Sequence, residues 1–215
     1  SFSVRLTHTR GAGPRGIALP EKNQQPVTFI TTAPTGALAQ TGAQAGAHAE
    51  ALAPVSRSVM ISNIRRNEGS PASRLKTLAY MDNMLARQEA AGAGADEAVM
   101  LNNRGDIGCA TIANIFLIDD AGRLRTPDKS AGALPGITRS KVIDIARSEG
   151  IECLVTPVPR EGLDGSEFFL TNSLIGLQPA HLAGAPAKTP SSLFRILQKR
   201  YIELAEADRQ AGRVE

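Results

Sequence analysis

The residue of this chain with the most chemical potential is Lys76, in the run Ser70–Ala90, SPASRLKTLAYMDNMLARQEA. A lysine amine is a weak nucleophile at its ordinary pKa. Burial and nearby positive charge can lower that pKa, so that the free amine forms a Schiff base with an aldehyde cofactor. Most lysines are instead solvated surface groups, and spacing alone does not choose between the two. Three other stretches could hold anions. Gly132–Arg139, GALPGITR, is a loop that opens a helix, and a helix N-terminus offers unpaired N–H groups and a positive dipole end to a phosphate. Thr171-Asn172-Ser173-Leu174 follows the apolar strand Phe168–Leu170, and hydroxyls and amides so clustered can hold a small anion. Arg10–Gly16, RGAGPRG, sets glycines on both sides of an arginine, a bidentate partner for carboxylates. Each has a plain alternative: a capped helix, a turn, and a turn with a surface arginine.

Composition narrows the classes. The chain has 215 residues, a formal net charge of +3, 42% hydrophobic and 21% charged residues. Its cations form no long run and are not interleaved with aromatics, which argues against nucleic-acid binding. No apolar run approaches a membrane span, and the N-terminus SFSVRLTHTRG lacks the apolar core of a signal peptide. Cys109 and Cys153 make no disulfide framework and no metal spacing, and His8, His48 and His181 are scattered, so no metal site is expected. The expectation is a soluble, cytoplasmic, globular protein.

The elements that would position these residues follow from periodicity. Val4, Leu6 and His8 alternate with polar residues as in a half-buried strand, and Val27–Thr32 is a second strand. Gly36–Pro54 is rich in Ala, Gly and Gln and carries no chemical signal. Val59–Ile64 is a third apolar run. Leu75, Leu78, Met81, Met84 and Leu85 make one apolar stripe at helical spacing, with Pro71 and Ser73 as the helix start and Ala91–Gly94 as its stop. Lys76 then sits in the first turn of that helix. Glu97–Asn102, two segments within Asp106–Ile118, Glu152–Val158 and Phe168–Leu170 read as strands. Val142, Ile143, Ile145 and Ala146 mark a helix, and Leu193, Ile196, Leu197, Tyr201 and Leu204 mark a terminal amphipathic one.

Taken together, SRLKTLAYMDNMLARQEA, GALPGITRSKV and FFLTNSLIGLQPA, with RGAGPRG upstream, resemble the class IV aminotransferases. These are pyridoxal-phosphate enzymes of fold type IV, and the resemblance covers roughly residues 1–180. The family includes D-amino-acid and branched-chain aminotransferases and aminodeoxychorismate lyases, and the loop TRGAGPRG is similar to the first and third groups. The resemblance implies an α/β fold of α+β two-domain type with a truncated small N-terminal domain. Residues 1–53 would be its remnant plus the Ala/Gly-rich insert, and 54–215 the large cofactor-binding domain. It implies that Lys76 holds the cofactor and moves the substrate α-proton. Ile137, Thr138, Ser173 and the backbone of Leu174 would bind the phosphate, Tyr80 would approach the cofactor, and Arg15 would take the substrate carboxylate. A homodimer is implied as well.

Two departures qualify this picture. Cys109, in RGDIGCATIANIF, stands where the family usually carries a glutamate that pairs with the protonated pyridine nitrogen. A neutral thiol cannot do that, which weakens transamination more than elimination. Asp106 is near in sequence, but alternation turns it elsewhere. In the D-amino-acid group a histidine stands two residues beyond the arginine, and here that position is Ile17. The expected function is an aminotransferase acting on an amino acid. The alternatives are an aminodeoxychorismate lyase forming 4-aminobenzoate and pyruvate, or a silent family member that binds a ligand or partner.

Overall fold

The computed structural model describes residues 2–13, 15, 25–34 and 55–211. The chain divides into two compact units, Ser1–Thr41 and Gly42–Glu215. Ile17, the Ala/Gly-rich stretch and the expected boundary between residues 53 and 54 lie outside the described residues.

The first unit contains an antiparallel pair, β1 (Phe2–Thr9) and β2 (Val27–Pro34), in register from Phe2↔Pro34 to Thr9↔Val27. The sequence predicts β1 half-buried through Val4 and Leu6. Both are instead about two-thirds exposed, because among the described residues of this unit no further layer covers a face of the pair.

The second unit is built on one eight-stranded sheet. Its strands are β3 (Arg57–Ile61), β4 (Glu97–Leu101), β5 (Ile107–Ala110), β6 (Asn114–Ile118), β7 (Leu124–Thr126), β8 (Cys153–Val155), β9 (Glu167–Asn172) and β10 (Gly176–Leu182). The order across the sheet is β5-β4-β3-β10-β9-β6-β7-β8. Among the described residues three α-helices accompany it: α1 (Met81–Gly92), α2 (Ile137–Ser148) and α3 (Ser192–Ala211). The central strands β4 and β6 are buried at every position, as expected where both faces are covered. Alternation sorts their neighbours into two cores. Ile115, Leu117, Phe168 and Leu170 join Val59, Val99 and Ile107. Phe116 and Phe169 join Val142 and Ile145 of α2 and Phe194 and Leu197 of α3. Phe169 stacks on Phe116 and meets Phe194 edge-on, both at 5.2 Å between ring centroids.

The helix expected from Ser70 differs in the structure. Ser70 Oγ accepts from the Ala72 N–H and starts only a short 3₁₀ turn, Pro71–Arg74. Leu75 is extended, with φ −111° and ψ 142°, and α1 begins at Met81. Lys76 therefore lies on an extended connection, not in a helix. The face of α1 that packs on the sheet is also not the large apolar stripe. It is Asn83, Ala86 and Ala90, against Ala98 and Met100 of β4. Small residues let the helix lie close to the strands, so Leu75, Leu78, Met81 and Met84, more than half exposed, and Leu85, at 42%, face outward. A periodicity count weights size and misses a face made of alanines.

Candidate active site

A cavity of about 460 Å³ opens where the 70–80 connection, the β5–β6 turn, the start of α2 and the β9–β10 turn converge. That volume lies in the range of small-molecule pockets. Of the residues singled out in the sequence, Lys76, Tyr80, Cys109, Ile137, Thr138 and Ser173 all line it. They come from segments up to 97 residues apart.

At the mouth, Lys76 Nζ donates to Tyr80 Oη at 3.4 Å and lies 4.7 Å from the centre of the Tyr80 ring. The ring face favours a cation there. Both residues sit on the connection just before α1, so the extended backbone, and not a helical turn, sets their spacing.

One end of the cavity is formed by the start of α2. Gly136 is its N-cap and makes no side-chain cap hydrogen bond. The first N–H groups of α2 have no intrahelical partner and so remain available. A methyl group at position 136 would lie 2.1 Å from Asn114 Oδ1, so any side chain there would have to displace the Asn114 amide. Asn114 Nδ2 donates to Leu134 O at 2.8 Å and holds the loop against β6. Arg139 turns inward to Thr126 Oγ1 at 3.3 Å and Pro127 O at 2.9 Å; desolvation is the main effect lowering its pKa. Thr171 and Ser173 also line the cavity, Thr171 as the strand partner of Asn114. The Thr171 hydroxyl is buried with no hydrogen-bond partner, in a residue that lines the cavity. Leu174 differs from expectation. It does not line the cavity, and its N–H already donates to Asn172 Oδ1 at 2.8 Å, so it has no proton to offer an anion.

Another wall is β5, through Cys109 and Ala110, and what packs behind it. Cys109 is 5% exposed, and burial pushes its thiol up to about 11, against a smaller opposing pull from Arg66. It is a neutral thiol at physiological pH. Arg66 donates to Gly132 O and Asn83 Oδ1, each at 3.1 Å, and to Ser73 O. Asn83 Nδ2 donates to Thr111 O at 2.7 Å. Asp106 does not line the cavity and pairs with Arg104 at 3.4 Å, in keeping with the alternation argument.

Sequence reasoning did not single out Arg66, Arg74, Asn83, Thr111 or Asn114, all of which line the cavity. Arg74 carried a usable signal, since it lies two residues before Lys76. Arg66 carried none, because its neighbours are up to 66 residues distant. Arg15 belongs to the first unit, in an exposed bend. Among the described residues no cluster of His, Cys, Asp or Glu could hold a metal ion, and no helix is long and apolar enough to cross a membrane.

The family model for class IV amino-transferases matches residues 1–183. The chain belongs to the class IV aminotransferases. It is 33% identical over 178 residues to a putative branched-chain-amino-acid aminotransferase of Methanocaldococcus jannaschii, covering 82% of this chain and 57% of the relative. It is 30% identical over 157 residues to an aminodeoxychorismate lyase of Bacillus subtilis, covering 70% and 53%. The chain thus spans little more than half the length of these class IV relatives. Among solved structures, the PLP-form (holo-form) branched-chain amino acid aminotransferase of Thermobaculum terrenum superposes with a TM-score of 0.77 at 26% identity, over 96% of this chain and 64% of that one. A putative 4-amino-4-deoxychorismate lyase of Legionella pneumophila shares the fold, with a TM-score of 0.78 at 23% identity, over 95% and 69%. The mixed α/β architecture here is that of fold type IV.

Proposed function

We propose that this class IV chain acts as a pyridoxal-phosphate-dependent aminotransferase on an amino acid. The observation that carries the reading is the single cavity lined by Lys76, Thr138 and Ser173, which unites three segments remote in sequence. The residues present fit the cofactor at two points. Lys76 offers an amine, and the α2 end offers hydroxyls and helix N–H groups, including the unpartnered hydroxyl of Thr171. When bound, pyridoxal phosphate supplies an aldehyde and an electron-withdrawing ring.

The chain's own residues would then act as follows. Lys76 holds the cofactor through its amine and later carries the proton to and from the substrate α-carbon. Tyr80 accepts a hydrogen bond from that amine and fixes its position. The Ile137 and Thr138 N–H groups and the Thr138 and Ser173 hydroxyls bind phosphate. Arg15 takes the substrate carboxylate, an assignment supported by the resemblance of its loop.

The neutral thiol of Cys109 favours a second reading, an aminodeoxychorismate lyase. An elimination passes its electron pair to a leaving group and leans less on the ring. We also read the protein as a homodimer. The outward stripe of Leu75, Leu78, Met81 and Met84 is the kind of exposed apolar face that a second copy covers, and it adjoins the cavity at Leu75. Two free cysteines suit a reducing, cytoplasmic setting.

An absorbance scan of protein mixed with pyridoxal phosphate tests the enzyme reading. The expected result is a visible band that borohydride removes while fixing the cofactor's mass on Lys76. Absence of any band would support a silent binding protein. Product analysis, keto acid against 4-aminobenzoate plus pyruvate, separates the two activities. Sedimentation showing an active monomer would overturn the dimer.

A further inference from the structure

The charged residues lining the cavity are Arg66, Arg74 and Lys76, all cations. No aspartate or glutamate lines it among the described residues. The acid packed behind the β5 wall is Glu97, 2% exposed, and its oxygens are committed elsewhere. One accepts from Thr111 Oγ1 and from the Ala98 N–H at 2.8 Å, and the other pairs with Arg87 at 3.0 Å. Whichever way a pyridine ring lies in this cavity, it meets no carboxylate from these walls.

A neighbouring negative charge favours a protonated pyridine nitrogen, while burial or a neighbouring positive charge disfavours it. Here the wall at β5 offers a thiol on which both the Arg66 guanidinium and the Glu97 carboxylate act. The carboxylate is already paired with Arg87, whereas Arg66 lines the cavity and its hydrogen bonds go to neutral acceptors. The side chain of Arg66 packs against the strand itself. A methyl group on Gly108, next to Cys109, would lie 3.3 Å from Arg66 Cβ. A fixed cation raises the cost of a second positive charge on the ring. The Arg66 charge cannot swing away, because three acceptors hold it: Gly132 O, Asn83 Oδ1 and Ser73 O.

We propose that this cavity binds its pyridine cofactor with the ring nitrogen unprotonated, Arg66 and Cys109 forming a wall that excludes the pyridinium. The inference rests on the cofactor reading above and deepens it. A neutral ring withdraws electrons less, so removal of the substrate α-proton is slower, at about tenfold in rate for each ~1.4 kcal/mol of lost stabilisation.

The test is ¹⁵N NMR of the full chain loaded with pyridoxal phosphate labelled at the ring nitrogen. The wild type is expected to show the resonance of a free pyridine from pH 6 to 8. Cys109→Glu is expected to move it upfield toward the pyridinium position. A wild-type resonance already at the pyridinium position overturns the proposal, and that measurement needs no variant to fold. Cys109→Ser, which keeps the wall neutral, is expected to leave the resonance in place, and an upfield shift in it would also overturn the proposal. Loss of the borohydride-sensitive band together with the bound ¹⁵N signal would instead overturn the cofactor reading, and this inference with it.

Discussion

The two ends of the cavity differ in what their polar groups have left to give. At the α2 end the Thr171 hydroxyl has no partner and the helix N–H groups carry no side-chain cap. At the β5 end Arg66 donates to three acceptors and the Asn83 amide bridges Arg66 to Thr111. The first end keeps polar groups that no other part of the described chain satisfies. The second is a finished piece of protein that a ligand must accept as it stands. Unpaired buried donors cost about 1–3 kcal/mol each, which a bound anion recovers. Paired ones stabilise the fold and offer little to a newcomer.

Substitutions should separate the two ends. The largest effect is expected between them, at the mouth: Lys76→Ala should lower turnover by about 10²–10⁴-fold or more. Because Lys76 is exposed, its thermal unfolding should shift by only about 0.5 kcal/mol or less. A reducible cofactor link that survives this change would remove Lys76 from the site. Next, Arg66→Ala should cost about 2–4 kcal/mol of folding stability in denaturant titration, since it leaves three buried acceptors unpaired. A stable Arg66→Ala protein would mean that the wall is not a finished structure.

The thiol of Cys109 predicts a pH signature. Its pKa is raised by burial from 9.0 to about 11, so between those values the folded chain binds the proton more tightly than the unfolded one. Its contribution to stability is whole below pH 9 and is lost as pH rises through 11. Over that window the wild type should lose roughly 2–3 kcal/mol more than Cys109→Ala, from about 1.4 kcal/mol per pKa unit. Parallel stability curves for the two proteins would contradict a buried neutral thiol. At the open end, Thr138→Val and Ser173→Ala should each weaken cofactor binding by about 1–3 kcal/mol. Folding stability should barely change, since neither hydroxyl holds the fold. Loss of stability without loss of affinity would reverse the contrast between the ends.

Much of the fold was legible in the sequence, because its signals are local. The apolar runs Ile115 to Ile118 and Phe168 to Leu170 mark strands, which the structure buries on both faces, and the spacing of Val142, Ile145 and Ala146 marks α2. Lys76, Thr138 and Ser173 could be nominated from residue type and local setting, and the structure brings all three to one cavity; what they bind there is the proposal made above. The start of α1 was not. A 3.6-residue count cannot tell a stripe that packs from one that faces outward, and here the packing face is Ala86 and Ala90 with Asn83. Nor could the sequence disclose that Leu174 has its N–H engaged by Asn172. What only the tertiary structure decided is the character of the cavity as a whole. Arg66 reaches Gly132 and Asn83 across 66 and 17 positions, and Glu97 is drawn away to Arg87 and Thr111. Those are long-range pairings set by strand order, and they determine which charges a ligand meets.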